Sequence, residues 1–144
     1  MIKFRAWGRN GNYPGSPSEK FEMFYDVSVV TTYHDKEQHV IADFGMYNES
    51  DYNGTDIIDY TLMQSTGLYD KNGKEIFESD ILKCTSIDCC LWYETVSWDS
   101  TIAGFATHQN GYDATPIEYI TDSKAITIEI IGNIYENPEL LEVE

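Results

Sequence analysis

The chain has 144 residues, with 9 Lys and Arg against 25 Asp and Glu, so its formal net charge is −16 at pH 7. That length suits one main domain with a buried core. The charge leaves no basic stripe for neutralising phosphates, which disfavours simple nucleic-acid binding and an anionic membrane surface alike.

Residues 1–65 carry 5 cations against 10 anions, a net of −5, and the remainder 4 against 15, a net of −11. Such acidity fits solubility, a basic protein partner or mimicry of a nucleic-acid surface. Aromatic residues make up 14% of the chain and are mostly Tyr, which favours strands over helices. The N-terminus is polar by Lys3, so no leader segment is expected, and no apolar run approaches the length of a membrane span. Cys84, Cys89 and Cys90 are odd in number, which suits reduced thiols. A cytoplasmic protein is therefore expected. On that expectation the glycosylation-like triplets Asn48-Glu49-Ser50 and Asn53-Gly54-Thr55 carry no weight.

In chain order, residues 1–7 alternate as a strand, with Ile2, Phe4 and Ala6 on one face and Lys3, Arg5 and Trp7 on the other. Residues 8–18 are rich in Gly, Asn, Pro and Ser and read as a loop. A strand region follows over 20–32 with a bend near Asp26, then a turn over 33–38 and a strand over 39–47. Residues 57–63 fit either a short helix or a strand.

Residues 62–83 are densely punctuated: Thr66-Gly67, then Asp70-Lys71-Asn72-Gly73-Lys74, then Glu78-Ser79-Asp80. Asn72-Gly73 suits positive φ, so this stretch reads as a hairpin followed by entry into a core strand at Ile81-Leu82. Asp70, Asn72, Gly73, Ser79 and Asp80 are the expected turn residues, Asp80 accepting backbone hydrogen bonds. Further strands are expected over 91–98, 101–108, 116–120 and 125–135. Asn137-Pro138-Glu139 reads as a helix start, with Asn137 as N-cap.

The expected class is mainly β (β-rich α+β): antiparallel strands and a short C-terminal helical turn. An N-terminal β-rich segment over residues 1–60 and a barrel domain over 61–144 are the expected organisation.

Three segments, spread from one end of the chain to the other, resemble the YopX-like family of small phage and prophage proteins. They are Ile2-Lys3-Phe4-Arg5-Ala6-Trp7; Leu62-Met63-Gln64, Thr66-Gly67-Leu68, Asp70-Lys71-Asn72-Gly73-Lys74 and Asp80-Ile81; and the run from Ile131-Gly132-Asn133 through Asn137-Pro138-Glu139-Leu140-Leu141. Gly8 stands where the family tends to have Asp, and Ser79 where it tends to have Gly. If that Gly has positive φ, Ser79 is strained or the turn differs. The resemblance implies an SH3-like C-terminal barrel with an N-terminal segment attached, and carries over no catalytic residues.

No motif in the sequence specifies an enzyme. Cys84, Cys89, Cys90 and His108 lack zinc-ligand spacing, since adjacent residues of a strand face opposite ways. His34 and His39, with Asp35 and Glu37, read as an exposed loop, and Asp80, Asp88, Glu94 and Asp99 are not paired by any spacing. No metal, cofactor or phosphate loop is expected. Tyr69, Trp92, Tyr93 and Trp98 form the candidate interaction surface, because small barrels use such aromatics to dock peptides or bases. The expected function is an acidic, non-enzymatic protein-binding module of phage or prophage origin, with a host or phage partner of basic character. A single-stranded nucleic-acid-binding barrel is the alternative, and an enzyme with an unrecognised site a second one. Exposed strand edges leave homo-oligomer and monomer equally open.

Overall fold

A computed structural model of the chain describes residues 2–11, 15–31, 36–46 and 52–142. Residues 33–35 of the turn expected over 33–38, with His34 and Asp35, and the triplet at Asn48 lie outside the described residues. The fold is mostly antiparallel β, and the chain divides into two compact units, Met1–Gln64 and Ser65–Glu144.

In the first unit, β1 (Phe4–Asn10), β2 (Phe21–Tyr25), β3 (Ser28–Thr31), β4 (Gln38–Met46) and the long β5 (Tyr52–Tyr69) pair antiparallel in the order β2-β1-β5-β4-β3. Residues 57–63, which fit helix or strand equally, are part of β5. The bend expected near Asp26 is real: Asp26 has φ +54 and separates β2 from β3.

That bend determines the shape of this unit. β2 and β3 lie at opposite ends of the strand order, which in a flat sheet would place them about 19 Å apart. Yet Tyr25 and Ser28 are three residues apart, a reach of at most about 11 Å. The sheet therefore coils on itself until its two ends meet. Inside the coil lie Ala6, Val27, Val40, Ala42 and Ile57, with Phe4, Phe24, Tyr60 and Leu62 packed on them. Phe4 and Ala6 are the inward face of the N-terminal alternation.

The second unit begins with the end of β5, which forms a hairpin with β6 (Glu75–Phe77) through the pairs Ser65↔Phe77 and Tyr69↔Glu75. β7 (Asp80–Ser86), β8 (Leu91–Asp99), β9 (Gly104–His108), β10 (Thr115–Pro116) and β11 (Ile126–Asn133) form a sheet in the order β10-β9-β8-β7-β11. The path has two ends, so among the described residues no ladder closes it into a complete barrel. Its core is Ile76, Leu82, Cys84, Val96, Ile117, Ile120 and Ile128.

Residues 116–120, expected as a strand, instead leave β10 at Pro116 and turn into a short helix, α1 (Glu118–Thr121). Ile117 and Ile120 are both buried while Glu118 and Tyr119 are exposed. A spacing of three puts two side chains on one helix face, whereas strand alternation would have split them. The C-terminal helical turn is a 3₁₀ helix, Pro138–Glu142. Asn137 does not cap it with its side chain as expected; its Oδ1 turns back to accept the Asn133 N–H at 3.2 Å.

Ser79 occupies the corner between β6 and β7 at φ +74. Its N–H donates to the Val96 carbonyl at 2.8 Å and its own carbonyl accepts the Ile134 N–H at 3.1 Å. The corner thus keeps its left-handed shape with a residue that has a Cβ, at an expected cost of about 1–2 kcal/mol. Replacing Ser79 by Gly removes that cost, less the extra freedom Gly gives the unfolded chain. Urea unfolding should show Ser79→Gly more stable by about 0.5–1 kcal/mol; a loss of stability would mean the serine hydroxyl has a role the backbone does not reveal.

Candidate functional site

The expected turn residues are built into one hydrogen-bonded corner. Asp70 N–H donates to the Lys74 carbonyl at 2.8 Å and Gly73 N–H to the Asp70 carbonyl at 3.0 Å, closing the β5–β6 turn, with Gly73 at φ +79. The Asp70 side chain, 7% exposed, accepts three amides: Asn72 and Lys74 at 2.9 Å each on Oδ1, and Ile130 at 3.0 Å on Oδ2. Lys71 adds its N–H to the Ile128 carbonyl at 2.9 Å and its ammonium to Glu129 at 2.8 Å. One turn is thereby fastened to β11.

Burial by itself would raise the Asp70 pKa. The amides of Ile130, Lys74 and Asn72, joined by the Lys74 charge, outweigh it and hold the carboxyl below its ordinary value. Asp80, also buried, accepts the Phe77 N–H at 2.8 Å, as expected of a turn-fixing carboxylate. Beside them, Thr66 Oγ1 donates to the Ile76 carbonyl at 2.8 Å and accepts the Leu68 N–H at 3.1 Å, around Gly67 at φ +77. Near the C-terminus, Asn133 Oδ1 accepts the amides of Tyr135 and Glu136 at 3.0 and 2.9 Å. Gly132 is glycine for a steric reason, because a Cβ there would fall on the Asn137 amide.

The four candidate aromatics are dispersed over the unit. Tyr69 is exposed at the end of β5. Trp92 and Tyr93 are neighbours on β8 and so face opposite ways. Trp92 faces the core, where its Nε1–H donates to Glu94 Oε2 at 2.9 Å. Trp98 lies at the far end of the strand, 49% exposed, opposite Phe105 of β9 with the rings edge to face at 5.2 Å. Ile102, in the turn joining these strands, is also exposed. Asp99 accepts both the hydroxyl and the amide of Thr101, at 2.6 and 2.9 Å, and those bonds hold its carboxyl below the usual range. This hairpin end thus carries the Trp98–Phe105 ring pair and, in its turn, an exposed Ile102.

A buried carboxylate inside the second unit was not legible as such. Glu94, 7% exposed, receives the Thr107 hydroxyl on Oε1 at 2.8 Å and the Trp92 indole on Oε2. The Cys84 thiol lies 4.0 Å from the same Oε2. Burial, then the Glu94 charge, pushes that thiol up to about 12, so it stays protonated and is a poor nucleophile. Along β8 Glu94 shares a face with Trp92 and Val96 by alternation, whereas its partner Thr107 comes from β9 and has no local signal. Asp80, Asp88, Glu94 and Asp99 occupy separate places: a corner, a hairpin tip, the core and a turn. Among the described residues no group of three or more His, Cys, Asp and Glu is placed to hold a metal ion, and no helix is long and apolar enough to cross a membrane.

The sequence pattern of the YopX protein family matches residues 3–142. The chain belongs to that family. Among solved structures it is similar to protein EF1440 from Enterococcus faecalis, with 27% identity, 98% of each chain covered and a TM-score of 0.61. It is also similar to protein yopX from Bacillus subtilis, with 22% identity, 96% of this chain and 97% of that one covered, and a TM-score of 0.58. No curated protein matches the chain. The middle and C-terminal segments that resemble the family contain side chains that close turns here: Thr66, Asp70, Asp80, Asn133 and Asn137.

Because the Asp70 carboxyl has a lowered pKa when folded, its contribution to stability is full above the unfolded value of about 3.9 and is lost as pH falls through the folded value. Asp70→Asn presents an N–H₂ where an acceptor is required and should cost about 1–3 kcal/mol at pH 7. Denaturation at a series of pH values should show the gap between wild type and Asp70→Asn shrinking below about pH 4. A gap independent of pH would contradict an ionised Asp70 in the fold.

Proposed function

We propose that the protein is a non-enzymatic binding module of phage or prophage origin that acts in the host cytoplasm on a partner protein with a basic surface. The Trp98 hairpin end carries this reading. It sets a half-exposed Trp against Phe105, with the exposed Ile102 in the adjoining turn, in the unit whose net charge is −11. Trp is the residue type most enriched where binding energy concentrates, and an acidic surround steers and selects a basic partner. The family resemblance supports the phage setting. The neutral, buried Cys84 thiol and the dispersal of the acidic residues into structural roles favour binding over catalysis.

Single-stranded nucleic acid is the weaker reading. It needs successive aromatics along a cationic groove, whereas Trp92 faces the core and the unit is strongly acidic.

The test is capture from host and phage proteins by wild type and by Trp98→Ala, followed by affinity measurement with the captured partner. The expected result is a basic protein whose binding falls with rising salt and weakens about tenfold or more in the variant. Folding should fall by about 0.5–1.5 kcal/mol for the lost ring pair, together with the loss of the area that the half-buried indole covers. Equal capture by both proteins, or none at low salt, would overturn the assignment.

A further inference from the structure

The three cysteines divide sharply by environment. Cys84 is in the core, whereas Cys89 and Cys90 are exposed at the tip of the β7–β8 hairpin. The Cys89 N–H donates to the Ser86 carbonyl at 2.9 Å, the Ser86 N–H to the Cys90 carbonyl at 2.9 Å, and the Cys90 N–H to Ser86 Oγ at 3.1 Å. This is a four-residue turn followed by a bulge, so Cys89 and Cys90 together stand opposite Ser86. Cys89 has φ +65, the place in such a turn where Gly ordinarily sits. A thiol thus occupies a position the backbone would give to Gly, directly beside a second thiol. The expectation that adjacent cysteines point to opposite faces of a strand does not apply, because β8 begins only at Leu91.

We propose that Cys89 and Cys90 form a surface dithiol site for a single thiophilic centre of the trivalent arsenic class. Consecutive Cα atoms are about 3.8 Å apart, shorter than the roughly 4.4–6.8 Å of ordinary disulfides, so a direct S–S bond is strained. One bridging atom relaxes that constraint, since bonds from sulfur to such a centre are near the ~2.3 Å of zinc thiolates. Asp88 shares the tip, but among the described residues no third ligand from His, Cys, Asp or Glu is placed to join the two sulfurs, and a pair of soft sulfur ligands selects soft centres. Ile87, 78% exposed, and Leu91, 52% exposed, flank the pair and offer an apolar rim to an organic substituent on the bridging atom. Cys84, buried and held as a neutral thiol, does not compete.

With phenylarsine oxide as the probe, the two S–H bonds and the arsenic–oxygen bonds break, two arsenic–sulfur bonds form, and the oxygen leaves with both protons as water. Arsenic remains trivalent and no oxidant is needed. Titration followed by mass spectrometry of the intact protein and its peptides should show one arsenical per chain, on the peptide containing Cys89 and Cys90, and removable by a small dithiol. Cys89→Gly suits the φ of that position and keeps the hairpin, and Cys90→Ser is conservative at an exposed site. Each should weaken binding by about 100-fold or more, the advantage of two linked ligands over one. Wild-type binding no tighter than that of these variants, or an adduct mapping to Cys84, would overturn the proposal.

Discussion

The Asp70 carboxylate is the interaction on which the second unit depends. It joins two amides of its own turn to the amide of Ile130, sixty residues later in the chain. A β-ladder would satisfy that amide with a carbonyl from a neighbouring strand, but the open sheet leaves β11 without one on that side among the described residues. A buried, unpaired N–H costs about as much as a lost hydrogen bond. The carboxylate replaces the missing strand, and its charge makes each of those bonds stronger than a neutral one.

The same device recurs at other breaks in the ladders of this unit. Asp80 accepts the amide of Phe77 where β6 ends, and Asn133 gathers the amides of Tyr135 and Glu136 where β11 ends. Thr66 serves the backbone on both sides of the Gly67 bulge. These are residues through which the chain resembles its family. They encode a scaffold, and that scaffold presents the Trp98 hairpin end and the Cys89–Cys90 tip.

Much of the scaffold was legible because its signals are local. Asn72-Gly73 marked the hairpin, Asp26 the break between β2 and β3, and the alternation of Phe4 and Ala6 an inward face. What was not legible depends on pairing across distance. The coiling of the first unit follows from strand order, which no local pattern reveals. Residues 57–63 fit helix or strand because a register shift in β5 near Trp7 and Arg9 of its neighbour interrupts the alternation. Residues 116–120 turn into a helix rather than the expected strand because Ile117 and Ile120, three apart, share one buried helix face. The four aromatics do not form one surface, because Trp92 and Tyr93, adjacent on β8, cannot share a face. The Thr107 hydroxyl that accommodates Glu94 comes from another strand and had no signal at all.

Native-state hydrogen exchange at Ile130 tests the central claim most directly. If the Asp70 carboxylate substitutes for a strand, the Ile130 amide opens only with global unfolding and exchanges about as slowly as core β7 amides such as Leu82. Exchange of Ile130 at the rate of an exposed loop amide, while Leu82 stays protected, would contradict it.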